Sequence, residues 1–262
     1  MLPMIEMTTD ILALLVATGF CAGFVDSIAG GGGLISLPIL ISVGLPPQLA
    51  LGTNKLQSSF GTLFAAYNYI KKGVIDVKTA APAVVFTFLG AAIGSWAVQQ
   101  MDAAFIRHLI PVMLLLVLAY MIFSKNPGDM DRSARMPAFV FALVFGLALG
   151  FYDGFFGPGT GSFWTAALIV LLGHNMTRAA GFTRIVNLTS NVVALGGFIL
   201  GGNVMWSAGL CMAAGQIVGA RVGSGLAIKN GARFIRPVFI TVVLLTIVRL
   251  IYVNYAHLIF SS

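Results

Sequence analysis

One phrase is written twice in this chain, and the repetition limits its fold more than any other feature. Residues 23–33 read GFVDSIAGGGG and 52–55 read GTNK, while residues 150–161 read GFYDGFFGPGTG and 181–184 read GFTR. With an offset of 127 at the first motif and 129 thereafter, Asp26 falls on Asp153, Gly52 on Gly181, Lys55 on Arg184 and Gly73 on Gly202. Gly90, Ala91, Gly94 and Ser95 fall on Gly219, Ala220, Gly223 and Ser224 in the same way. A chain made of two homologous halves has its shared site on the axis relating them. Each half here delivers one carboxylate and one base to that axis.

The solvent follows from composition. With 58% apolar and 9% charged residues and a mean hydropathy of +0.97, the chain lies far from soluble domains, of which about a quarter is charged. It reads as an all-α integral membrane protein with the lipid bilayer as its partner. Apolar spans are expected at 10–29, 33–45, 49–70, 79–99 and 104–123, then at 137–156, 161–173, 179–200, 206–228 and 234–255. Residues 1–123 form a first membrane repeat, 124–136 a polar cytoplasmic linker and 137–262 a second repeat. Lys55 is the first basic residue, so the opening apolar run reads as a retained span and not a cleaved leader.

The net charge of +7 needs no nucleic acid, because basic residues mark cytoplasmic loops. Five crossings per half with an external N-terminus put Lys71, Lys72, Lys78, Lys125, Arg132, Arg135, Arg178, Lys229, Arg233 and Arg236 on one face and Arg107 on the other. An odd number of crossings inverts the second half. The expected architecture is therefore about ten helices, within a range of eight to ten, in an inverted five-plus-five repeat. Residues 10–45 are long for one crossing and slightly short for two, so the second segment of each half is expected to be a short helix.

Gly30 to Gly33 interrupt the first half where Gly157, Pro158, Gly159 and Gly161 interrupt the second. Paired breaks of this kind point to discontinuous helices and a binding site. Gly90/Gly94 and Gly219/Gly223 read as close helix packing, and Gly146 as part of an ordinary span. A charge at membrane depth persists when paired, wetted or functional. Lys55 and Arg184, beside Thr53, Asn54, Gln57 and Ser58 or Thr183, Asn187 and Asn191, suit a small oxyanion. Asp26 and Asp153 serve as proton acceptors, counter-ions or caps, and the alternatives stay open. Arg249 is expected to snorkel to the interface, and Arg221 is open between packing and function. Cys21 and Cys211 read as small buried hydrophobes. His108, His174 and His257 have no metal-ligand spacing and no catalytic constellation is present, so neither an enzyme nor a cofactor or metal is expected. A channel or cation carrier built on the aspartates is the competing reading.

These paired motifs, with LPILISVGLPPQLALGTNK after the first and GFTRIVNLTSN after the second, resemble those of the sulfite exporter TauE/SafE family of bacterial membrane transporters along essentially the whole chain. The resemblance implies a secondary transporter of sulfite, sulfonate or other small organic anions in the inner membrane. Carried onto this sequence, it points to Asp26, Gly30 to Gly33, Gly52, Thr53, Asn54 and Lys55, and to Asp153, Gly157, Gly159, Gly161, Gly181, Thr183 and Arg184. Phe182 stands where the first half has Thr53, so the site is not strictly symmetric. The substrate-binding set expected from residues and resemblance together is Lys55, Arg184, Asn54, Thr53, Thr183, Gln57, Asn187, Gly31, Gly32, Gly33, Gly159 and Gly161. Asp26 and Asp153 are assigned to proton coupling or structure. A homo-oligomer is left open.

Overall fold

The computed structural model describes residues 8–123 and 131–231. Its elements are α1 (Thr9–Ala29), α2 (Gly32–Ser42), α3 (Pro47–Lys71), α4 (Val77–Gln99), α5 (Ala103–Phe123), α6 (Ala138–Phe155), α7 (Thr160–Leu171), α8 (Met176–Leu200) and α9 (Trp206–Asn230), with no strand among the described residues. The expected span 234–255, with Arg249 and His257, lies outside them, as do linker residues 124–130.

Local chemistry sets the ends. α3 starts at Pro47, two residues before the expected 49, because proline suits the first helical position. α8 starts at Met176, three residues before 179, because the Asn175 side chain accepts from Arg178 N at 2.9 Å. α3 and α8 end alike: Gly73 and Gly202 both have φ +68°, and the next residue's N–H bonds back to Tyr69 O or Phe198 O. α2 and α7 have 11 and 12 residues, roughly half of a 30 Å crossing at 1.5 Å per residue. That accounts for segments too long for one span and too short for two.

Among the described residues five helical segments, Thr9–Ile28, Val77–Gln99, Ala138–Phe155, Met176–Leu200 and Trp206–Asn230, are long and apolar enough to cross a membrane. α3 is just as long but carries the polar run from Thr53 to Ser59. The outward faces are apolar: Val85, Phe88, Ile93 and Trp96 on α4, Phe139 and Val144 on α6, and Val218 on α9 are all exposed. Such a surface suits hydrocarbon and not water. Cys21 belongs to this surface and corrects an expectation, whereas Cys211 packs partly buried against the core. Cys21 is exposed and Cys211 half-buried, both free, because in a bilayer an apolar thiol needs no protein around it. Arg221 is exposed on α9.

Packing exchanges helices between the halves. α1 packs along α9, and α4 along α6, so the first helix of each repeat lies on the fourth helix of the other. Glycines make both contacts close. A Cβ at Gly19, Gly215 or Gly219 would collide with the backbone of the facing helix in one pair, and a Cβ at Gly90, Gly94 or Gly154 would do so in the other. Gly146 belongs to the second contact, since its Cβ would lie 2.6 Å from Phe86 Cβ. It is therefore not the neutral position the sequence suggested. Between these pairs, α3 packs against α8 and runs antiparallel to it, with Gly52 facing Phe198 near one end and Tyr69 facing Gly181 near the other.

Candidate functional site

α3 and α8 carry the two bases inward, and the carboxylates reach them from the opposite halves. Lys55 Nζ lies 2.6 Å from Asp153 Oδ1 and 3.1 Å from Asn191 Oδ1. Arg184 Nη1 lies 3.1 Å from Asp26 Oδ2 and also donates to Asp26 O. Ser190 Oγ, next to Asn191 on α8, donates to Asp153 Oδ2. The Lys55, Asp153 and Arg184 side chains are at most 4% exposed, whereas Asp26 is 15% exposed. Two buried ion pairs add little net stability, because desolvation offsets their attraction. Losing one partner is costly, at about 3–5 kcal/mol.

The helix breaks close around these pairs. α1 ends at Gly30 (φ +73°), and Asp26 Oδ1 accepts from Gly31 N and Gly32 N at 3.2 and 3.4 Å, so this aspartate is both cap and counter-ion. α6 ends before Gly157 (φ +99°), and α7 starts from Gly159 (φ +84°) without a side-chain cap. The breaks touch: Ser162 Oγ donates to Gly30 O at 2.5 Å, and a Cβ on Gly161 would lie 2.7 Å from Gly30 Cα. At Gly157 a Cβ would lie 2.6 Å from Lys55 Nζ, so only glycine lets the backbone pass the ammonium group.

Between the breaks lies a polar cavity of about 20 Å³, lined by Asp26, Gly31, Gly32, Gly33, Asn54, Lys55, Ser58, Asp153, Gly157, Gly159, Thr160, Gly161, Asn187 and Asn191. That volume admits about one water. Two donors turn toward Gly161 on α7: its Cβ would stand 2.9 Å from Arg184 Nη2 and 3.0 Å from Asn187 Nδ2. Arg184 Nη2 and Asn187 Oδ1 are buried without a hydrogen-bond partner among the described residues. A helix start without a side-chain cap, a guanidinium nitrogen with spare capacity and an amide are donors of the kind that oxyanions use.

The expected residues are not all gathered here. Thr53 Oγ1 accepts from Met205 N at 2.9 Å, Thr183 pairs with Thr165 at 3.2 Å, and Gln57 Nε2 donates to Asn54 Oδ1 at 2.8 Å, all outside the cavity lining. Thr160 and Ser190 are added. Ser190 was concealed by the repeat itself, because its counterpart in the first half is Gly61. His108 is exposed, and His174 is pushed down to about 4 by burial and the Arg178 guanidinium. Among the described residues no cluster could hold a metal ion.

Phe198 against Gly52 closes α3 and α8 at one end of the site, and Tyr69, Val74 and Ile75 against Gly181 close them at the other. Beyond the second closure opens a pocket of about 500 Å³, lined by Val74, Ile75, Asp76, Asp131 and Arg178 among others. The end of the linker folds over this rim, where Asp131 accepts from Asn175 N at 2.7 Å and Arg132 N donates to Gly173 O at 2.7 Å.

The breaks themselves are testable. Gly159→Val puts a β-branched residue at positive φ, and Gly32→Val puts a Cβ 2.8 Å from Asp26 Cβ. Both should cut transport at least about tenfold. Gly196→Val, with nothing within 4 Å of its Cβ, should transport like the parent in the same vesicles. Equal rates for all three would show that the breaks do not shape the site.

The description "Sulfite exporter TauE/SafE" matches residues 15–250. A "Probable membrane transporter protein" from Haemophilus influenzae is 40% identical over 93% of this chain and 95% of its own. "Probable membrane transporter protein ORF9" from a Sinorhizobium species is 38% identical over 94% of each chain. "Probable membrane transporter protein YfcA" from Escherichia coli K12 is 39% identical over 92% of this chain and 90% of its own. No solved structure matches. With its paired breaks, its buried bases and a family match over nearly its whole length, the chain belongs to the sulfite exporter TauE/SafE family of membrane transporters.

Proposed function

We propose that the protein is a secondary transporter of small oxyanions, of the sulfite, sulfonate or small carboxylate class, in the bacterial inner membrane. The observation that carries this reading is the pair of buried cations, each held by a carboxylate from the opposite half. An anion entering this low-dielectric space needs a cation and donors that replace its hydration. Arg184 Nη2 and Asn187 meet at Gly161, at the start of α7, and Asn187, Lys55, Asn54 and Gly33 line the cavity, behind whose lining Arg184 lies. Asp26 and Asp153 occupy the cations in place of substrate. Substrate and carboxylate compete, and protonating a carboxylate releases its cation for the anion, which couples proton and anion binding.

A cavity of about 20 Å³ is too small for an anion with three or four oxygens, so binding requires expansion from this closed form. The antiparallel course of α3 and α8, whose sequences correspond, supports an inverted relation between the halves, and the bases of the loops support a cytoplasmic linker. Both aspartates are taken up by basic side chains, which disfavours a cation carrier. The test is purified protein in proteoliposomes challenged with sulfite, a sulfonate and a small carboxylate under imposed pH gradients. Saturable anion flux that accelerates with an inward proton gradient is expected. Flux of sodium or potassium without anion flux would replace this reading with the cation carrier.

A further inference from the structure

Gln216 is a fully buried side-chain amide without a role in the ion-pair site. It is 0% exposed, and neither amide atom has a hydrogen-bond partner among the described residues. A buried amide with neither atom paired is unfavourable. Its position in the repeat is informative. Gln216 on α9 corresponds to Thr87 on α4, whose hydroxyl is also buried and without a partner. Thr87 packs against Gly150 of α6, one turn before Asp153, and Gln216 packs against Gly23 of α1, one turn before Asp26.

The third helix breaks the symmetry. In the second half α8 supplies Ser190, whose hydroxyl donates to Asp153. The matching residue of α3 is Gly61, which has no side chain to offer Asp26. Gln216 fills that space: a Cβ on Gly61 would lie 2.5 Å from Gln216 Nε2. The longer residue on α9 thus brings a donor to where the shorter residue on α3 lacks one.

We propose that Gln216 does for Asp26 what the Ser190 hydroxyl does for Asp153, as a positioning residue whose amide donates to Asp26 when the Asp26–Arg184 pair opens to admit the anion. The proposal rests on the oxyanion reading above. While the pair is closed, Asp26 is served by Arg184 and by Gly31 N and Gly32 N. Once the anion takes Arg184, a largely buried carboxylate loses its cation, and an added donor lowers the cost of that state. Gln216 has three rotatable bonds with which to reach it.

The test is sulfite flux in proteoliposomes, with thermal melting in detergent alongside. Gln216→Leu should melt like the parent yet transport at least about tenfold more slowly. Gln216→Thr with Gly61→Ser transplants the Thr87/Ser190 arrangement and should recover flux to within about threefold of the parent. Gln216→Thr with Gly61→Ala restores the bulk without the hydroxyl and should stay as slow as Gln216→Leu. Parent-like flux in Gln216→Leu, or equal recovery with Ala and Ser at position 61, would reduce Gln216 to packing. Melting decides the matter even if the parent moves no sulfite, a result that would count against the oxyanion reading alone. In an Arg184→Gln background Asp26 has already lost its cation, so Gln216→Leu should lower the midpoint by at least about 3 °C more than it does in the parent. Additive effects there would overturn the proposal.

Discussion

Lys55→Gln should abolish anion flux and lower the melting midpoint by roughly 10 °C, while the double variant Lys55→Gln/Asp153→Asn should regain the melting midpoint and remain inactive. The Lys55 and Asp153 side chains are 1% and 4% exposed and 2.6 Å apart. Removing the ammonium leaves a carboxylate whose remaining strong partner is the Ser190 hydroxyl. Breaking a buried pair in this way costs about 3–5 kcal/mol, and each kcal/mol moves the midpoint of a chain this size by about 2–4 °C. Neutralising both partners removes the uncompensated charge, so the fold is relieved, but the anion has lost a cation. Melting curves and flux on the same preparations separate the effects. If the double variant melts as low as the single one, the pair is not the unit of cost. If it transports, Lys55 does not bind substrate.

Gly52→Ala should sharply reduce the yield of folded protein, whereas Gly181→Ala should fold and transport within about threefold of the parent. The sequence treats the two as the same residue, each opening its half's second motif. Their surroundings differ. A Cβ on Gly52 would collide with the backbone oxygen of Asn203 and stand 2.9 Å from Phe198 Cβ. Backbone at a turn yields poorly, and overpacking of this kind costs about 1–3 kcal/mol or more. A Cβ on Gly181 would meet Tyr69 Cδ1 at 3.1 Å, Ile75 Cγ2 at 3.3 Å and Val74 Cγ1 at 3.4 Å, side chains that can give by a few tenths of an ångström. Size-exclusion yield and detergent melting of the two variants check the contrast. Equal loss at both positions would show that the closures are packed alike.

Much of this arrangement is legible in the amino acids because insertion into a bilayer leaves few choices. Charges at Asp26, Lys55, Asp153 and Arg184 stand out against apolar runs, and the glycines at 30–33 and 157–161 break the helical pattern shortly after Asp26 and Asp153. The partners were not legible. An offset of 127 or 129 says which residues are equivalent, but not that Lys55 meets the aspartate of the other half. Thr53 and Thr183 looked like site residues by adjacency to the bases. A helix turns 100° per residue, however, and each faces a neighbouring helix instead. Cys21 misled for another reason, since apolar context in a membrane protein does not distinguish the interior from the lipid face.

The crossed ion pairs bear on how such a chain could arise. Asp26–Arg184 and Asp153–Lys55 are one bond drawn twice, each joining the acid of one repeat to the base of the other. A lone repeat, with its Asp26 and Lys55, has no means of satisfying both charges with each other through this geometry. Two copies facing one another would satisfy four. The same holds for the first helix of each repeat, whose glycine face is covered by the fourth helix of its counterpart. On this account a chain of half this length would work only as a pair, and fusing two copies would enclose an interface that already holds the four charges. Once fused, the halves were free to diverge, and Lys55 against Arg184, or Gly61 against Ser190, records where they did.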